Sequence, residues 1–140
     1  MNIPNNSLTE EITEIVTLCK TLETEYGNDA FCFNPPASEN DIAEWENNHK
    51  ITIPKSYKEW LEFSNGSHII NNTAQFFGIN NLKIYNDCIP DDYVVIGELI
   101  GDGEVLCFSK TTQKIIRYNH GKIIEYKHFK EILNLILDII

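Results

Sequence analysis

Four histidines and four cysteines are the residue types here that could support metal or nucleophilic chemistry. His49, His68, His120 and His128 have no second His or Cys three or four positions away, which is the spacing a zinc site needs. Cys19, Cys32, Cys88 and Cys107 form no CxxC pair, and Cys19 and Cys107 lie in apolar stretches, where a thiol behaves as a small hydrophobe. Reduced thiols are expected, and no local Cys–His signature marks a nucleophile. Gly97, Gly101 and Gly103 are spaced for a hairpin between strands and not for a phosphate-cradling loop before a helix. The acids around them lack the ordered oxygen spacing that calcium demands. No catalytic residue, metal site or cofactor is therefore expected, and the reading is of a protein that is not an enzyme.

Charge is the remaining chemical signal. Twenty-one acids against eleven bases give a net charge of −10. Residues 1–46 hold ten acids and one base, Lys20, whereas residues 87–104 hold six acids and no base. Residues 105–140 reverse the balance, with six bases and three acids. Such a field repels nucleic-acid phosphate and anionic lipid and draws cationic partners. Two acidic clusters could dock one: Glu39, Asp41, Glu44 and Glu46, or Asp87, Asp91, Asp92, Glu98, Asp102 and Glu104. The second is preferred, because Tyr93 stands among its carboxylates and an interface wants an aromatic anchor as well as charge. The expected partner-binding residues are thus Asp87, Asp91, Asp92, Tyr93, Glu98, Asp102 and Glu104. Trp45 and Trp60 sit on inward helical stripes and read as core.

The elements that must carry these residues follow from periodicity. Leu8, Ile12, Ile15, Val16, Cys19, Leu22 and Tyr26 recur at helical spacing, with Glu10, Glu11, Glu14, Glu23 and Glu25 largely opposite. Ser7, with Glu10 three residues on, predicts a capping box, and Gly27 a stop. Residues 28–37, containing Pro35 and Pro36, predict a connecting loop. Ser38 caps a helix over 39–49 with Ile42, Trp45 and His49 inward, and Pro54 opens another running to about Ser64, closed by Asn65-Gly66. Beyond Gly66 the period falls to two. Segments His68–Ile70, Ala74–Ile79, Leu82–Tyr85, Tyr93–Ile100, Glu104–Ser109, Lys114–Tyr118 and Lys122–Tyr126 read as β-type, the last four separated by tight-turn signals and so antiparallel. A helix from about His128 carries Phe129, Ile132, Leu133, Ile136, Leu137 and Ile140 on one stripe. The expected fold is α+β, a largely antiparallel sheet of about six strands with N-terminal helices and a C-terminal helix packed against it. One domain is expected over residues 1–140. No apolar run approaches the roughly 18 residues of a membrane span. The first residues, Met-Asn-Ile-Pro-Asn-Asn, carry neither positive charge nor an apolar stretch, so a cytosolic location is expected.

The stretch Ser38–Gly66 is the most distinctive: a Ser-capped helix, Ile-Thr-Ile-Pro, then an aromatic-rich helix ending in Asn-Gly. It resembles the SUKH superfamily, which holds the yeast Smi/Knr regulator of cell-wall glucan synthesis and many bacterial immunity proteins. Ile51, Ile53, Pro54, Tyr57, Trp60 or Leu61, Asn65 and Gly66 fill the family's places. Val94-Val95-Ile96-Gly97, Gly101-Asp102-Gly103 and Phe129–Leu133 extend the likeness over roughly 38–140, with residues 1–37 a leading helix and loop. Lys50 stands where the family commonly has glycine, and Ile53 where it often has leucine. The resemblance implies a non-catalytic, protein-binding role. As an immunity protein the chain would neutralise a cognate intracellular toxin, often a nuclease, through a basic surface on that toxin, with no direct nucleic-acid or membrane contact. The alternative it implies is a regulatory or scaffolding protein akin to the glucan-synthesis regulators.

Overall fold

The computed structural model describes residues 2–27, 31–69, 73–84, 88–99 and 104–139. Among these residues four α-helices, α1 (Thr9–Tyr26), α2 (Glu39–His49), α3 (Lys55–Leu61) and α4 (Lys130–Ile139), accompany seven strands. The strands are β1 (Phe31–Phe33), β2 (Ser67–Ile69), β3 (Ala74–Phe76), β4 (Tyr93–Leu99), β5 (Val105–Ser109), β6 (Ile115–Asn119) and β7 (Lys122–Tyr126). They form one sheet in sequence order, every neighbouring pair antiparallel. This is the expected α+β class, with seven strands where about six were expected.

Several local expectations need correction. The expected loop 28–37 contains β1, because Phe31 and Phe33 reach the core while their backbone pairs with Ile69 and Ser67. Of the expected strand Leu82–Tyr85, the described residues 82–84 make a single bridge, Lys83 to Val95, and Tyr85 lies outside the described residues. The strand from Ala74 stops at Phe76, and Ile79–Asn81 turn as a 3-10 helix. Ser7 does not cap α1. The helix starts after Leu8 with no side-chain cap; just before it Asn6 Oδ1 accepts from Leu8 N–H at 2.8 Å, while Ser7 turns to Glu59. Glu11, expected among the outward acids, is buried. His49 is exposed, its ring 4.5 Å from that of Trp45 and its Nδ1 2.8 Å from Trp45 O. α3 ends at Leu61, three residues before Ser64.

The helices cover one face of the sheet. Tyr57 and Trp60 of α3, Phe33 of β1, Phe76 of β3, Phe63 and Phe129 form a ring-to-ring cluster with centroid separations of 5.0–6.5 Å. Trp60 and Trp45 are both buried, as core. The Tyr57 hydroxyl donates to Phe77 O at 2.6 Å and lies 3.2 Å from Ile96 O, so α3 is bolted to the sheet by a polar contact inside an apolar layer. Burial pushes its phenol well above the ordinary range. Across the sheet a smaller cluster of Phe77, Val95, Cys107 and Ile116 is covered by Leu82 and Ile89. Burial pushes the thiols of Cys19 and Cys107 up to about 12, which makes both inert at neutral pH.

The residues behind the family likeness are chiefly structural. Ser38 Oγ accepts from Asp41 N–H at 3.0 Å, capping α2. Asn65 ties three segments together: its N–H donates to Pro35 O at 3.0 Å, its O accepts from Asn34 Nδ2 at 3.3 Å, and its Oδ1 accepts from Ile79 N–H at 2.7 Å. Gly66, at φ 106, turns the chain from α3 into β2. Lys50 closes α2 in the left-handed region (φ 55, ψ 42), which explains why glycine suits that place. Lys50→Gly should therefore stabilise the fold by about 0.5–1 kcal/mol, read as a higher urea midpoint at unchanged slope.

Candidate partner-binding surface

β4 and β5 carry the preferred acidic cluster, and their register decides which carboxylates share a face. Registered partners in an antiparallel pair point to the same side. Tyr93 lies on the side opposite the helices, with Phe77, Val95 and Cys107. The register slips between Val95 and Gly97, a bulge that brings Glu98 opposite Val105 and Gln75, again on that outer side. Without this extra residue, alternation would have turned Glu98 away from Tyr93. The two are five residues apart, about 17 Å along the strand.

The other members are placed differently. Asp91 is exposed. The Asp92 carboxylate is occupied: its Oδ2 accepts from Ser109 Oγ at 2.5 Å, and its Oδ1 from Thr111 Oγ1 at 2.7 Å and Thr111 N–H at 3.1 Å. Burial pushes its pKa up, but these bonds and the Lys110 charge outweigh burial and hold the carboxyl below its ordinary value. Asp92 thus latches the loop before β4 to the turn after β5. Burial, followed by the charges of Glu125 and Asp92, pushes the Tyr93 phenol up, and its ring meets Tyr118 edge-on at 6.4 Å. Glu104 is bonded to Arg117 Nε, and Arg117 Nη1 donates to Tyr126 Oη at 3.0 Å. Arg117 pairs with Leu106, so this pair lies toward the helix side of the sheet. The bond to Glu104 is the main reason the guanidinium is held above its ordinary value. Asp87 and Asp102 lie outside the described residues. The outer face thus unites Tyr93 with Glu98, while Asp92 and Glu104 are committed elsewhere.

The first cluster has a groove beside it that periodicity did not reveal. Glu39, Asp41 and Glu44 are exposed on α2, whereas Glu46 accepts from Ile53 N–H at 2.8 Å and pairs with Lys58 at 3.4 Å. Between α2, α3 and the N-terminal segment runs an open cavity of about 500 Å³ lined by Ile42, Lys55, Lys58, Glu59 and Glu62 among others.

Beside it, Ser7, Glu59 and His128 meet although they are far apart in sequence. Ser7 Oγ lies 2.9 Å and 3.0 Å from the Glu59 oxygens and 3.1 Å from His128 Nε2, and Ser7 N–H donates to Glu59 at 2.6 Å. A serine touching an imidazole invites comparison with a nucleophile and its base. The polarity is wrong for that role. His128 Nδ1 accepts from Lys130 N–H at 3.1 Å, so the neutral ring carries its proton on Nε2 and donates it to Ser7 Oγ, which in turn donates to Glu59. Burial, helped by Lys130, holds the imidazole below its ordinary value and keeps it neutral. The group straps the N-terminal segment to α3 and α4. Among the described residues, no three His, Cys, Asp or Glu side chains converge as metal ligands, and no helix is long and apolar enough to cross a membrane.

Residues 36–135 match the SMI1 / KNR4 family (SUKH-1). The chain belongs to that family. The match takes in α2, α3, all strands after β1 and the first part of α4, and with them every ring of the aromatic core except Phe33. No curated protein matches the chain.

Proposed function

We propose that this SUKH-1 chain is a non-catalytic protein-binding domain, an immunity protein that neutralises a cognate intracellular toxin. The observation that carries the reading is the concentration of acid without base over residues 87–104, on a family scaffold whose signature residues are consumed by folding. A toxin that handles nucleic acid must itself present a cationic groove, and an acidic surface blocks it by occupying the place of the phosphates. Asp91, Tyr93 and Glu98 are the contacts best suited to this, with Asp87 and Asp102 completing the cluster and Asp92 and Glu104 positioning the backbone that presents it. Both ends of β4 fit inside one interface of about 800 Å² per partner.

Co-expression with the toxin encoded beside its gene should protect the host, and the pair should co-elute on size exclusion. The double variant Asp91→Lys/Glu98→Lys should slow association at least about tenfold at low salt while leaving the urea midpoint in place, since both side chains are exposed. Protection with no effect of this variant would move the contact to α2. Recovery of housekeeping proteins and no toxin would favour the regulatory alternative.

A further inference from the structure

The exposed large hydrophobic side chains among the described residues are Ile123 (45% exposed) and Ile124 (48%), side by side on β7. β7 ends the sheet and pairs with β6 alone. The hairpin that makes it has two turn residues, His120 at φ 49 and Gly121 at φ 87, closed by the pair Asn119 and Lys122. In a hairpin of this length the closing pair is hydrogen-bonded. Lys122, Ile124 and Tyr126 therefore spend their backbone groups on β6, and Ile123 and Glu125 turn theirs outward. Natural edge strands are usually blunted by a central charge, a proline or a cover. Here the middle of the edge is two adjacent β-branched residues, one on each face of the sheet.

The charges around it indicate what would cover it. Lys122 and Lys127 are exposed at the two ends, and Lys114 leans on Glu125 at 3.1 Å. This is the basic portion of a chain whose net charge is −10. A second copy is a poor occupant: two such chains repel, and a five-residue edge, about 17 Å long, falls well short of the roughly 1,200 Å² of a stable interface. We infer that β7 accepts an extended segment of another protein as an eighth strand, with apolar residues at its centre and carboxylates at its ends. Its backbone would bond to Ile123 and Glu125, its apolar residues would cover Ile123 and Ile124, and its carboxylates would meet Lys122 and Lys127. This surface is independent of the acidic one.

The probe is a capped seven-residue peptide with Val-Ile-Val at its centre and two carboxylates on each side, titrated into nitrogen-15-labelled protein. The amides of Ile123 and Glu125 should shift and exchange at least about tenfold more slowly when bound, while those of Lys122, Ile124 and Tyr126, already bonded to β6, should not gain protection. A peptide with lysines in place of the carboxylates should bind at least about tenfold more weakly. Ile123→Pro removes an outward N–H that the ladder does not use, so binding should vanish without unfolding. If that variant misfolds, Ile124→Lys should still weaken binding severalfold from an exposed position. Equal binding of the two peptides, no binding, or shifts confined to α2 or the 88–98 region would overturn the assignment. So would protection of Ile123 and Glu125 that rises with protein concentration alone, which would make a second copy the occupant.

Discussion

Trp60→Ala should cost about 3–5 kcal/mol of folding stability, a large share of the roughly 5–15 kcal/mol that a domain ordinarily holds in reserve. Trp60 is 0% exposed, with the rings of Phe63, Phe76 and Phe129 at 5.3, 5.2 and 5.8 Å. Those rings come from three separate places along the chain, so no local rearrangement can close the void that alanine would leave. Urea unfolding followed by circular dichroism measures the loss. The outcome also separates two meanings of a distinctive sequence motif. An aromatic helix is equally good material for an interface anchor, and an anchor at this position would lose partner binding while the unfolding midpoint stayed put. A midpoint unchanged within about 0.5 kcal/mol would place Trp60 at a surface and overturn the core described above.

The same distinction explains what could be read in advance. α1, α2, α3 and α4 were legible because each buries one stripe at helical spacing and each, apart from α1, starts where its sequence signal lies. The α1 start was misread because Ser7 has the right chemistry for a cap, but a buried carboxylate 52 residues away competes for it and wins: Glu59 is 7% exposed and takes both donors of Ser7. β1 was hidden because three residues beside two prolines carry no periodicity, and their strand state depends on β2 arriving alongside. The acidic cluster was legible as composition but not as geometry. Linear proximity cannot tell that Asp92 bonds to the next turn, that Glu104 reaches Arg117 toward the helix side, or that a bulge keeps Glu98 on the same side of the sheet as Tyr93. β7 looked like any other strand, since exposure of an edge is set by where the sheet stops.

Gly97 is where fold and proposed function are most tightly joined, and Gly97→Ala should destabilise by about 3 kcal/mol or more. A Cβ there would lie 2.3 Å from Gln75 O, with Gln75 C and Phe76 Cα at 3.3 Å. All three are backbone atoms of β3 and its register partner, so no flexible side chain can yield. Relief requires β3 to move off β4, and that pairing joins β1 and β2 to the rest of the sheet. The same movement would pull on Phe77 N–H, bonded to Ile96 O at 2.7 Å, and on the Tyr57 hydroxyl that grips both segments. Gly121→Ala provides the contrast. Gly121 has φ +87 in a two-residue hairpin turn with nothing within 4 Å of a Cβ, so its cost is backbone strain alone, about 1–2 kcal/mol. If the two variants proved equally stable by urea unfolding, close packing at the bulge would not be the reason for glycine at 97. If Gly97→Ala is the worse by the expected margin, the bulge is rigidly set. The side of the sheet on which Glu98 stands is then fixed by a contact that glycine alone permits.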